Sequence, residues 1–286
     1  YTYGMSILNT HLISGSSVVL NNHSLIERDF WEILNNRKVT NFGGVPFMYE
    51  TLIKLKFQKK IPRSLKYITQ AGGKLQRSTF EAIVDISNKI GLRFYSMYGQ
   101  TEATSRMSVL DYKLANKKIM SIGKPLVGGK FLIQSKNGKL INEPNKAGEL
   151  IYIGKNVSLG YCKSKSDLSK GNKNNNKLYT GDLAYKDKDN FYYISGRKKR
   201  VAKIFGIRIG LDEVEAMLKN WGIECAAISD DKKIYIFMKK SKDQKTVNKI
   251  SKNLGLHKSA LKLVKLKNFP RNQSGKISYG ELKKNV

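Results

Sequence analysis

Apolar and polar positions in residues 24–98 follow two alternating patterns. Short apolar runs at Val39–Phe42, Lys66–Gln70 and Leu92–Met97 predict strands, and the segments between them place apolar residues at helical intervals. Strands that alternate with helices are typical of parallel βαβ units. The first part of the chain is therefore predicted to be α/β.

Two helix starts are predicted from capping signatures. Ser24-Leu-Ile-Glu27 and Ser78-Thr-Phe-Glu81 have the spacing of a capping box, in which two side chains satisfy free amide groups of the first turn. Pro46 is expected in the first turn of another helix, and Gly91 is expected to end the helix that follows Ser78.

Three successive predicted strands end in Gly43-Gly44, Gly72-Gly73 and Tyr98-Gly99. Ligands of parallel sheets bind at the carboxyl ends of the strands, and glycine lets a ligand approach the backbone closely. A tight turn that needs a positive φ explains any one of these glycines equally well. Three at corresponding places predict a ligand site at this edge of the sheet.

The texture of the chain changes after about residue 119. Short alternating runs such as Lys130–Gln134 and Glu149–Ile153, separated by Gly, Pro and Asn, predict a small barrel or antiparallel sheet. Residues 163–177 are polar and predict an exposed loop. From about residue 200 a compact α+β module is predicted, with helices near 212–220 and 244–254 and strands at 223–229, 232–238 and 261–266.

The net charge of +31, from 53 Lys and Arg against 22 Asp and Glu, is the one extreme property of the composition. Such a charge suits a nucleic acid or an anionic membrane, but the lysines are scattered, many beside asparagine, as in Gly171–Lys177. Composition bias is therefore favoured, and a nucleic-acid partner is not expected.

The cysteines and the hydropathy pattern bear on location. Cys162 and Cys225 lie far apart without neighbouring Cys or His, which indicates neither a disulfide framework nor a zinc site. No apolar run approaches the roughly 20 residues of a membrane span. A reducing, cytoplasmic location fits both observations.

Candidate chemistry follows the third strand in Tyr98-Gly-Gln-Thr-Glu102. Tyr98 offers a flat face for a base, Thr101 a hydroxyl for a phosphate oxygen, and Glu102 a hard oxygen ligand for Mg²⁺. A solitary tyrosine here is more often a core aromatic. Its position beside Thr101 and Glu102 favours a nucleotide site.

Three charged residues further along the chain have both a functional and an ordinary interpretation. Asp182 in Tyr179-Thr-Gly-Asp182 can accept two neighbouring hydroxyls, as a ribose presents, yet it equally resembles a turn aspartate. Arg197 begins the exposed-looking run Arg197–Arg200, and Lys276 is one lysine among dozens. Residue type alone does not decide between these interpretations.

Four motifs occur in order: Tyr98–Glu102, Tyr179–Asp182, Gly196-Arg197 with Lys203 and Gly206 downstream, and Pro270–Lys276. Their order and spacing resemble the adenylate-forming superfamily, which includes acyl-CoA synthetases and the adenylation domains of nonribosomal peptide synthetases. The resemblance spans the whole chain but only the later part of such an enzyme. It implies that the chain is truncated at its N-terminus.

The resemblance implies an α/β fold in two domains. Residues 1–198 form part of a large domain, with a βα sheet at 1–118 and a small β-barrel subdomain at 119–198, and residues 199–286 form a smaller mobile α+β domain. Lys199 falls at the expected hinge between the two.

The resemblance also implies a role for individual residues. The predicted nucleotide-binding residues are Gly72, Gly73, Tyr98, Gly99, Thr101, Asp182, Arg197 and Lys276. Glu102 is the predicted metal ligand, and the predicted catalytic residues are Lys276, Thr101, Glu102 and Lys203. Lys276 resembles the lysine of the adenylation step, whereas Lys203 and Gly206 resemble a loop that serves the second half-reaction.

The implied reaction activates a small carboxylic acid with ATP and Mg²⁺ to an acyl-AMP and transfers the acyl group to a thiol, most simply that of CoA. The alternatives are delivery to the phosphopantetheine of an acyl carrier protein, and an inactive or nucleic-acid-binding remnant. The family's Gly-rich phosphate loop has no counterpart in residues 1–286. Little activity is therefore expected from this chain by itself.

The class of acid is predicted from the first residues. Relatives that activate α-amino acids carry an aspartate after an aromatic residue, and the matching pair here is Tyr1-Thr2. Because Thr2 has no charge, an acyl or aryl acid is expected. The acyl pocket is expected to be lined by residues Gly43–Phe47, Gln70–Gly73 and Ser96–Tyr98.

Overall fold

The computed structural model describes residues 2–205, 207–230, 232–239, 244–272, 275–284 and 286, without the side chains of Lys203, Arg208 and Gln244. The chain divides into two compact units. The first comprises Tyr1–Thr180 with Ala184–Ile194, and the second Gly181–Leu183 with Ser195–Val286. The domain ranges 1–198 and 199–286 stay a proposal.

Helices and strands alternate as an α/β chain does, which confirms the predicted fold class. The α-helices of the described residues are α1 (Thr2–Ile13), α2 (Arg28–Asn36), α3 (Pro46–Lys54), α4 (Arg77–Lys89), α5 (Leu211–Asn220), α6 (Gln244–Leu254) and α7 (Tyr279–Lys283). The strands are β1 (Asn41–Gly44), β2 (Tyr67–Gln70), β3 (Arg93–Tyr98), β4 (Ser108–Leu110), β5 (Lys124–Pro125), β6 (Gly129–Gln134), β7 (Gly148–Gly154), β8 (Lys177–Lys186), β9 (Tyr192–Arg197), β10 (Val201–Ile204), β11 (Ile207–Gly210), β12 (Cys225–Ser229), β13 (Ile234–Met238) and β14 (Leu261–Lys265).

The first sheet has the strand order β1-β2-β3-β4-β5. Strands β1, β2 and β3 are parallel, and β4 and β5 continue the sheet in antiparallel fashion. The register pairs Gly44 with Gln70 and Gln70 with Ser96. The carboxyl ends of the three parallel strands therefore lie side by side, as the glycine positions predict.

The hydrophobic core of this sheet lies between the strands and α2, α3 and α4. The Phe94 ring packs edge-on against Tyr49 and Phe80, with ring centroids 5.6 Å apart in both pairs. Ile68 on the neighbouring strand is 0% exposed. Burying an apolar side chain of this size stabilises the fold by about 1.5–3 kcal/mol, so these residues anchor the strands that end at the candidate site.

The second sheet has the order β6-β7-β8-β9, with β6 and β7 antiparallel. The predicted alternating strands are confirmed, and within the described residues they form an open sheet rather than a closed barrel. Phe131 lies at the centre of the core of this sheet, where its ring contacts Tyr98, Tyr152 and Tyr192. Tyr98 therefore packs against the second sheet from the end of β3 in the first.

Both predicted capping boxes are wrong. Helix α2 begins at Arg28, after Glu27. The Glu27 carboxylate accepts from the Ser24 amide (3.2 Å), as it would in a capping box, but in a turn that precedes the helix. Helix α4 begins at Arg77, before Ser78, and the Glu81 carboxylate accepts from the Arg77 side chain (2.9 Å) instead of capping the backbone.

Helix α1 is not among the sequence predictions. The hydroxyls of Ser6, Thr10 and Ser14 each donate a hydrogen bond of 2.7 Å to a carbonyl oxygen of the preceding turn. Serine and threonine hydroxyls commonly find their hydrogen-bond acceptor in this way within a helix. Tyr3 is buried and attaches the helix to the sheet, since its hydroxyl lies 2.6 Å from Thr69 Oγ1 on β2.

The second unit contains the β10–β11 hairpin and a sheet of order β12-β13-β14, in which β13 and β14 are parallel. Helices α5 and α6 contribute to its core, and Ile236 on the central strand is 0% exposed. The predicted α+β character of this part is confirmed. Both cysteines are free thiols: Cys162 is exposed, and Cys225 is buried in this unit.

A buried ionic cluster joins α5, β12 and α7 within the second unit. Arg200 Nη2 donates to Glu215 Oε1 (2.6 Å), and Arg200 Nε donates to Asp212. Glu215 also accepts from the Ala227 amide (2.6 Å) and from the Tyr279 hydroxyl (2.9 Å). Burial raises the pKa of Glu215 against the opposing effect of Arg200. The cluster holds the start of α7, three residues after Lys276.

Among the helices that the structure describes, none is long and apolar enough to cross a membrane.

Replacing Ile68 with alanine tests the first core. Because Ile68 is 0% exposed, Ile68→Ala should lower the free energy of unfolding by about 2–5 kcal/mol. Ile13→Ala, at a position that is 87% exposed, should change it by less than about 0.5 kcal/mol. Urea unfolding followed by circular dichroism measures both, and equal effects at the two positions contradict the packing described.

Replacing Glu215 tests the ionic cluster. Glu215→Ala leaves Arg200 partly unpaired in a buried place and should cost about 3–5 kcal/mol of unfolding free energy. The matched control is Glu81→Ala, which removes an exposed pair with Arg77 and should cost at most about 1 kcal/mol. A Glu215 effect as small as that of Glu81 in the same urea experiment would show that the cluster does not hold the unit together.

Candidate functional site

The loop after β3 carries the first group of predicted site residues. Tyr98 ends the strand, Gln100 follows Gly99 in extended backbone, and Thr101–Ala103 form a short 3₁₀ turn. The loop returns to the sheet through the Met107 amide, which donates to the Tyr98 carbonyl (2.9 Å). Thr101 and Glu102 are thus held at the end of β3, where the motif predicts them.

The glycine at position 99 is explained by the chain itself. A Cβ atom at Gly99 would lie 2.3 Å from the Ser105 carbonyl oxygen, which is far inside van der Waals contact. Thr104 and Ser105 both have positive φ, +52° and +61°, so the backbone turns sharply towards Gly99. The proposed contact of Gly99 with a nucleotide is therefore not needed to account for this glycine.

Gly72 and Gly73 form the turn after β2. Gly72 has φ +82°, which favours glycine, and a Cβ at Gly73 would lie 3.1 Å from Pro46. The buried Gln70 side chain donates to the Gly73 carbonyl at 2.8 Å and fixes the turn. The turn lies at the same sheet edge as Tyr98, because β2 and β3 are parallel neighbours.

Tyr98 has a partly core environment. Its ring lies edge-on to Phe131 at 6.1 Å between centroids, and its hydroxyl accepts a long hydrogen bond from Gln100 Nε2 (3.4 Å). The same Gln100 amide donates to the Thr180 carbonyl at 2.9 Å. The ring therefore has the environment of a core aromatic, and its role as a platform for a base stays a proposal.

Glu102 is held by the segment that follows β7. The Tyr161 hydroxyl donates to Glu102 Oε1, and the Ser158 amide donates to the Glu102 carbonyl at 2.7 Å. The hydrogen bond to Glu102 raises the pKa of Tyr161, which is itself 72% exposed. The carboxylate proposed as a metal ligand therefore has a phenol as its partner in this structure.

The second unit carries the other group of predicted residues. The Asp182 side chain is buried, and Arg197 Nε donates to Asp182 Oδ1 at 3.1 Å. The Lys198 amide donates to the Gly181 carbonyl at 2.8 Å, which fixes the two segments side by side. The structure therefore brings together Asp182 and Arg197, two of the predicted nucleotide-binding residues.

Lys276 lies in a small hairpin before α7. Its amide donates to Asn272 Oδ1 at 3.0 Å, and the Arg271 guanidinium donates to the Gly275 carbonyl at 2.8 Å. Partial burial, together with the nearby positive charge of Arg197, lowers the pKa of Lys276. Lys276 is therefore near enough to Arg197, in the same unit, for the two positive charges to affect each other.

Other predicted positions are described in part or not at all. Lys203 lies on β10, paired with Arg208 across the hairpin, but its side chain is not described. Gly206 and Tyr1 lie outside the described residues. Lys199 is exposed in the turn between β9 and β10. Thr2 lies at the start of α1 with its hydroxyl 3.0 Å from that of Thr101.

A cavity of about 230 Å³ lies between α1 and the first two strands. His11 and Arg106 line this cavity, and so does Gly43, one of the residues predicted to line an acyl pocket. The predicted acyl pocket stays a prediction. The α1 residues that line the cavity, Ile7, Thr10, His11 and Ser14, recur at helical spacing, but three of them are polar, so apolar periodicity does not reveal this helix. Nothing in the sequence places Arg106 beside them.

Each unit by itself offers groups that can bind part of a nucleotide or its magnesium ion. Among the described residues no three His, Cys, Asp or Glu side chains come together as a metal cage. Mg²⁺ commonly binds through one or two carboxylates plus substrate phosphates, so a single carboxylate such as Glu102 fits that habit. Asp182 supplies an acceptor for hydroxyls, and Arg197 with Lys276 supplies positive charge for an anion.

Comparisons with known proteins agree with this chemistry. Residues 1–162 match the family of AMP-binding enzymes, which is more than half of the 286 residues. The chain is 28% identical over 294 residues to 2-succinylbenzoate–CoA ligase of Bacillus cereus, covering 99% of this chain and 59% of that protein. The chain is also 30% identical over 226 residues to the 2-succinylbenzoate–CoA ligase of Oceanobacillus iheyensis, a match that covers 79% of this chain and 45% of that protein.

Solved structures are similar over almost the whole chain. Two structures of the o-succinylbenzoate CoA synthetase of Bacillus subtilis each match with a TM-score of 0.78 and 26% identity. One is in complex with its acyl-adenylate intermediate and the other with ATP and magnesium ion. Both matches cover 99% of this chain, and they cover 58% and 59% of the respective synthetase chains. An amide bond synthetase from Marinactinospora thermotolerans matches at 15% identity with a TM-score of 0.76, and the match covers 97% of this chain and 58% of that chain. At this identity the match is evidence for a shared fold only.

The chain spans about 59% of the length of the curated relatives that it matches. The family match covers the β3 loop with Tyr98 and Glu102, and the matches over the full chain extend through Lys276. On these grounds the chain belongs to the family of AMP-binding enzymes, and its fold is that of adenylate-forming acyl-CoA synthetases.

Proposed function

We propose that the whole protein is an AMP-forming acid–thiol ligase that activates a carboxylic acid with ATP and transfers the acyl group to CoA. The observation that carries this proposal is the grouping of Asp182, Arg197 and Lys276 in the second unit. The first unit, described by itself, carries Thr101 and Glu102 in the β3 loop. The relatives that the chain matches over 99% of its length are named as CoA ligases.

The nucleotide-binding roles follow from the chemistry of each group. Tyr98 stacks on the base, next to the Gly72–Gly73 turn at the same sheet edge, and Asp182 accepts the ribose hydroxyls with Arg197 as its partner. Thr101 donates to the α-phosphate, and Glu102 holds the Mg²⁺ that neutralises phosphate charge.

The first half-reaction needs charge neutralisation more than covalent help from the protein. A carboxylate oxygen attacks the α-phosphorus of ATP, the bond to the β-phosphate oxygen breaks, and pyrophosphate leaves. Negative charge develops on the α-phosphate, where the Lys276 ammonium stabilises it. In the second half-reaction a thiol displaces AMP from the acyl carbon, and we assign Lys203 to this step.

The acid is proposed to be an acyl or aryl acid rather than an α-amino acid. Thr2 stands where amino-acid-activating relatives carry aspartate, and its hydroxyl lies 3.0 Å from that of Thr101. A threonine hydroxyl has no charge to pair with an ammonium group. The relatives named above act on 2-succinylbenzoate, an aryl acid, which is the first substrate to try.

CoA is the first acceptor to test, and a carrier-protein phosphopantetheine is the second. The names of the relatives support CoA. A cytoplasmic location is proposed with it, since CoA and ATP are available there. Thioester formation with free CoA, in the absence of any carrier protein, distinguishes the two acceptors.

Replacing Lys276 tests the adenylation step. In the full-length protein, Lys276→Ala should lower acid-dependent ATP–pyrophosphate exchange by about 10²–10³-fold, because one group that stabilises the transition-state charge is lost. The matched control is Lys267→Ala, an exposed lysine elsewhere in the second unit, which should leave the exchange unchanged.

Replacing Lys203 tests the division between the two steps. Lys203→Ala should reduce thioester formation and change the rate of pyrophosphate exchange by less than about twofold, as an ordinary surface substitution would.

Undiminished exchange in Lys276→Ala, with any acid that supports exchange in the wild type, would falsify the assignment of Lys276 to the adenylation step. Absence of exchange with every acid tested would reject the proposed function itself.

A further inference from the structure

The hairpin that carries Lys276 keeps its own shape through local hydrogen bonds. The Lys276 amide donates to Asn272 Oδ1 (3.0 Å), and the Asn272 amide donates to the Lys276 carbonyl (2.9 Å). The direction of the hairpin depends on what attaches its two ends. At the first end, Arg271 Nη2 donates to Glu224 Oε1 (3.1 Å), but both side chains are about half exposed. Exposed ion pairs of this kind contribute little to stability.

The attachment at the other end of the hairpin is partly buried. Tyr279, three residues after Lys276, donates its hydroxyl to Glu215 Oε2 (2.9 Å) on α5. The Arg200 guanidinium lies over the Tyr279 ring, with its central carbon 3.8 Å from the ring centroid. Burial, together with the negative charge of Glu215, raises the pKa of the Tyr279 hydroxyl, which therefore keeps its proton and remains a donor. A charge-assisted hydrogen bond that is shielded from water is the stronger of the two attachments.

The same carboxylate also holds the segment that carries Arg197. Arg200 lies three residues after Arg197, in the turn between β9 and β10, and its Nη2 donates to Glu215 Oε1 (2.6 Å). Arg197 itself donates to the buried Asp182 (3.1 Å). Glu215 therefore joins two chain segments, one that begins three residues before it at Arg197 through Arg200, and one that carries Lys276. Partial burial, and after it the charge of Arg197, lowers the pKa of Lys276.

This arrangement needs contacts that hold it. Two like charges near one another repel, and partial burial makes each of them less favourable. By themselves these effects would move Lys276 away from Arg197 and into water. The bond from Tyr279 to Glu215 opposes such a movement, because it fixes the residue at which α7 begins. A charge that stabilises a transition state must already be in place, and a displacement of about 1 Å can cost about 10²-fold in rate.

We propose that Tyr279 is a positioning residue for Lys276 in the adenylation step. Through Glu215, Tyr279 fixes Lys276 relative to Arg197, so that both positive charges act on the same phosphate group. Tyr279 acts through Lys276 and contacts no reacting atom. This inference rests on the proposed function above, and it adds a group outside the four sequence motifs' charged residues to the machinery of the first half-reaction.

The test variant is Tyr279→Phe in the full-length protein. It keeps the ring under Arg200 and removes only the hydroxyl that reaches Glu215. ATP–pyrophosphate exchange is measured with 2-succinylbenzoate, and its kcat should fall by about 10- to 100-fold. The KM for ATP should change by less than about threefold, because the charge that Lys276 stabilises is fully developed only in the transition state.

The second half-reaction separates positioning from a loss of folded protein. The chemically prepared adenylate of 2-succinylbenzoate is mixed with CoA, and thioester formation is followed. Since this step does not use the charge proposed for Lys276, Tyr279→Phe should change its rate by less than about twofold. A fall of both half-reactions by the same factor would show that Tyr279 only supports folding and would overturn the proposal.

The matched control is Tyr235→Phe. It removes another phenol–carboxylate hydrogen bond of the second unit, from Tyr235 to Asp230 Oδ2, which has the same length of 2.9 Å. This variant should leave the kcat of exchange unchanged to within about twofold. A loss as large as that of Tyr279→Phe would mean that any such bond in the unit has the same effect, which contradicts a specific role of Tyr279.

The reactivity of Lys276 gives a readout that needs no enzymatic activity. Competitive acetylation with acetic anhydride over a series of pH values, followed by mass spectrometry, measures the pKa of its amine. This pKa should lie below the ordinary value of lysine in the wild type. It should rise towards that value in Tyr279→Phe, because the hairpin then moves away from Arg197 and into water.

The two readouts distinguish failure of this inference from failure of the proposed function. An unchanged pKa of Lys276 in Tyr279→Phe overturns the positioning role, whether or not exchange falls. A pKa that rises in the variant, in a protein whose wild type exchanges with no acid, rejects the ligase function and keeps the contact that positions Lys276.

Discussion

The close contact between Gly99 and the Ser105 carbonyl is the constraint on which the candidate site of the first unit depends. No side chain fits at position 99, because a Cβ would lie 2.3 Å from that oxygen. The loop can therefore reverse within seven residues, helped by the left-handed backbone of Thr104 and Ser105. This reversal places Thr101 and Glu102 at the strand end and leads the chain to Arg106 in the cavity under α1.

Much of the fold could be predicted from periodicity alone. Apolar spacing predicts the parallel strands β1 to β3. Pro46 predicts the start of α3, and Gly91 predicts the end of α4. Helix α1 could not be found in this way, since Ser6, Thr10 and Ser14 give it little apolar periodicity and its stability comes from Tyr3 on the sheet. The second capping box failed because Glu81 has a competing partner, Arg77, that sequence spacing does not reveal. The first failed in position, since the Glu27 carboxylate meets the Ser24 amide in a turn before the helix.

The candidate site was predictable as a set of residues but not as a geometry. Asp182 and Arg197 are adjacent in space because β8 and β9 bring residues 15 positions apart together, which only the resemblance to a family implied. The glycines had two explanations at the sequence level, and for Gly99 the packing of the chain now accounts for the residue type. The sequence does not predict that Arg106 and His11 line one cavity, because they lie 95 positions apart and a cavity has no sequence signature.

The hydrogen bond from Tyr161 to Glu102 makes the exposed segment after β7 an internal competitor of any cation that binds this carboxylate. A cation that binds at Oε1 has to displace the phenol, so its apparent affinity for that oxygen is the intrinsic affinity reduced by the fraction of molecules in which the bond is open. The coupling is reciprocal, because a cation at that oxygen weakens the attachment of Tyr161 by the same factor.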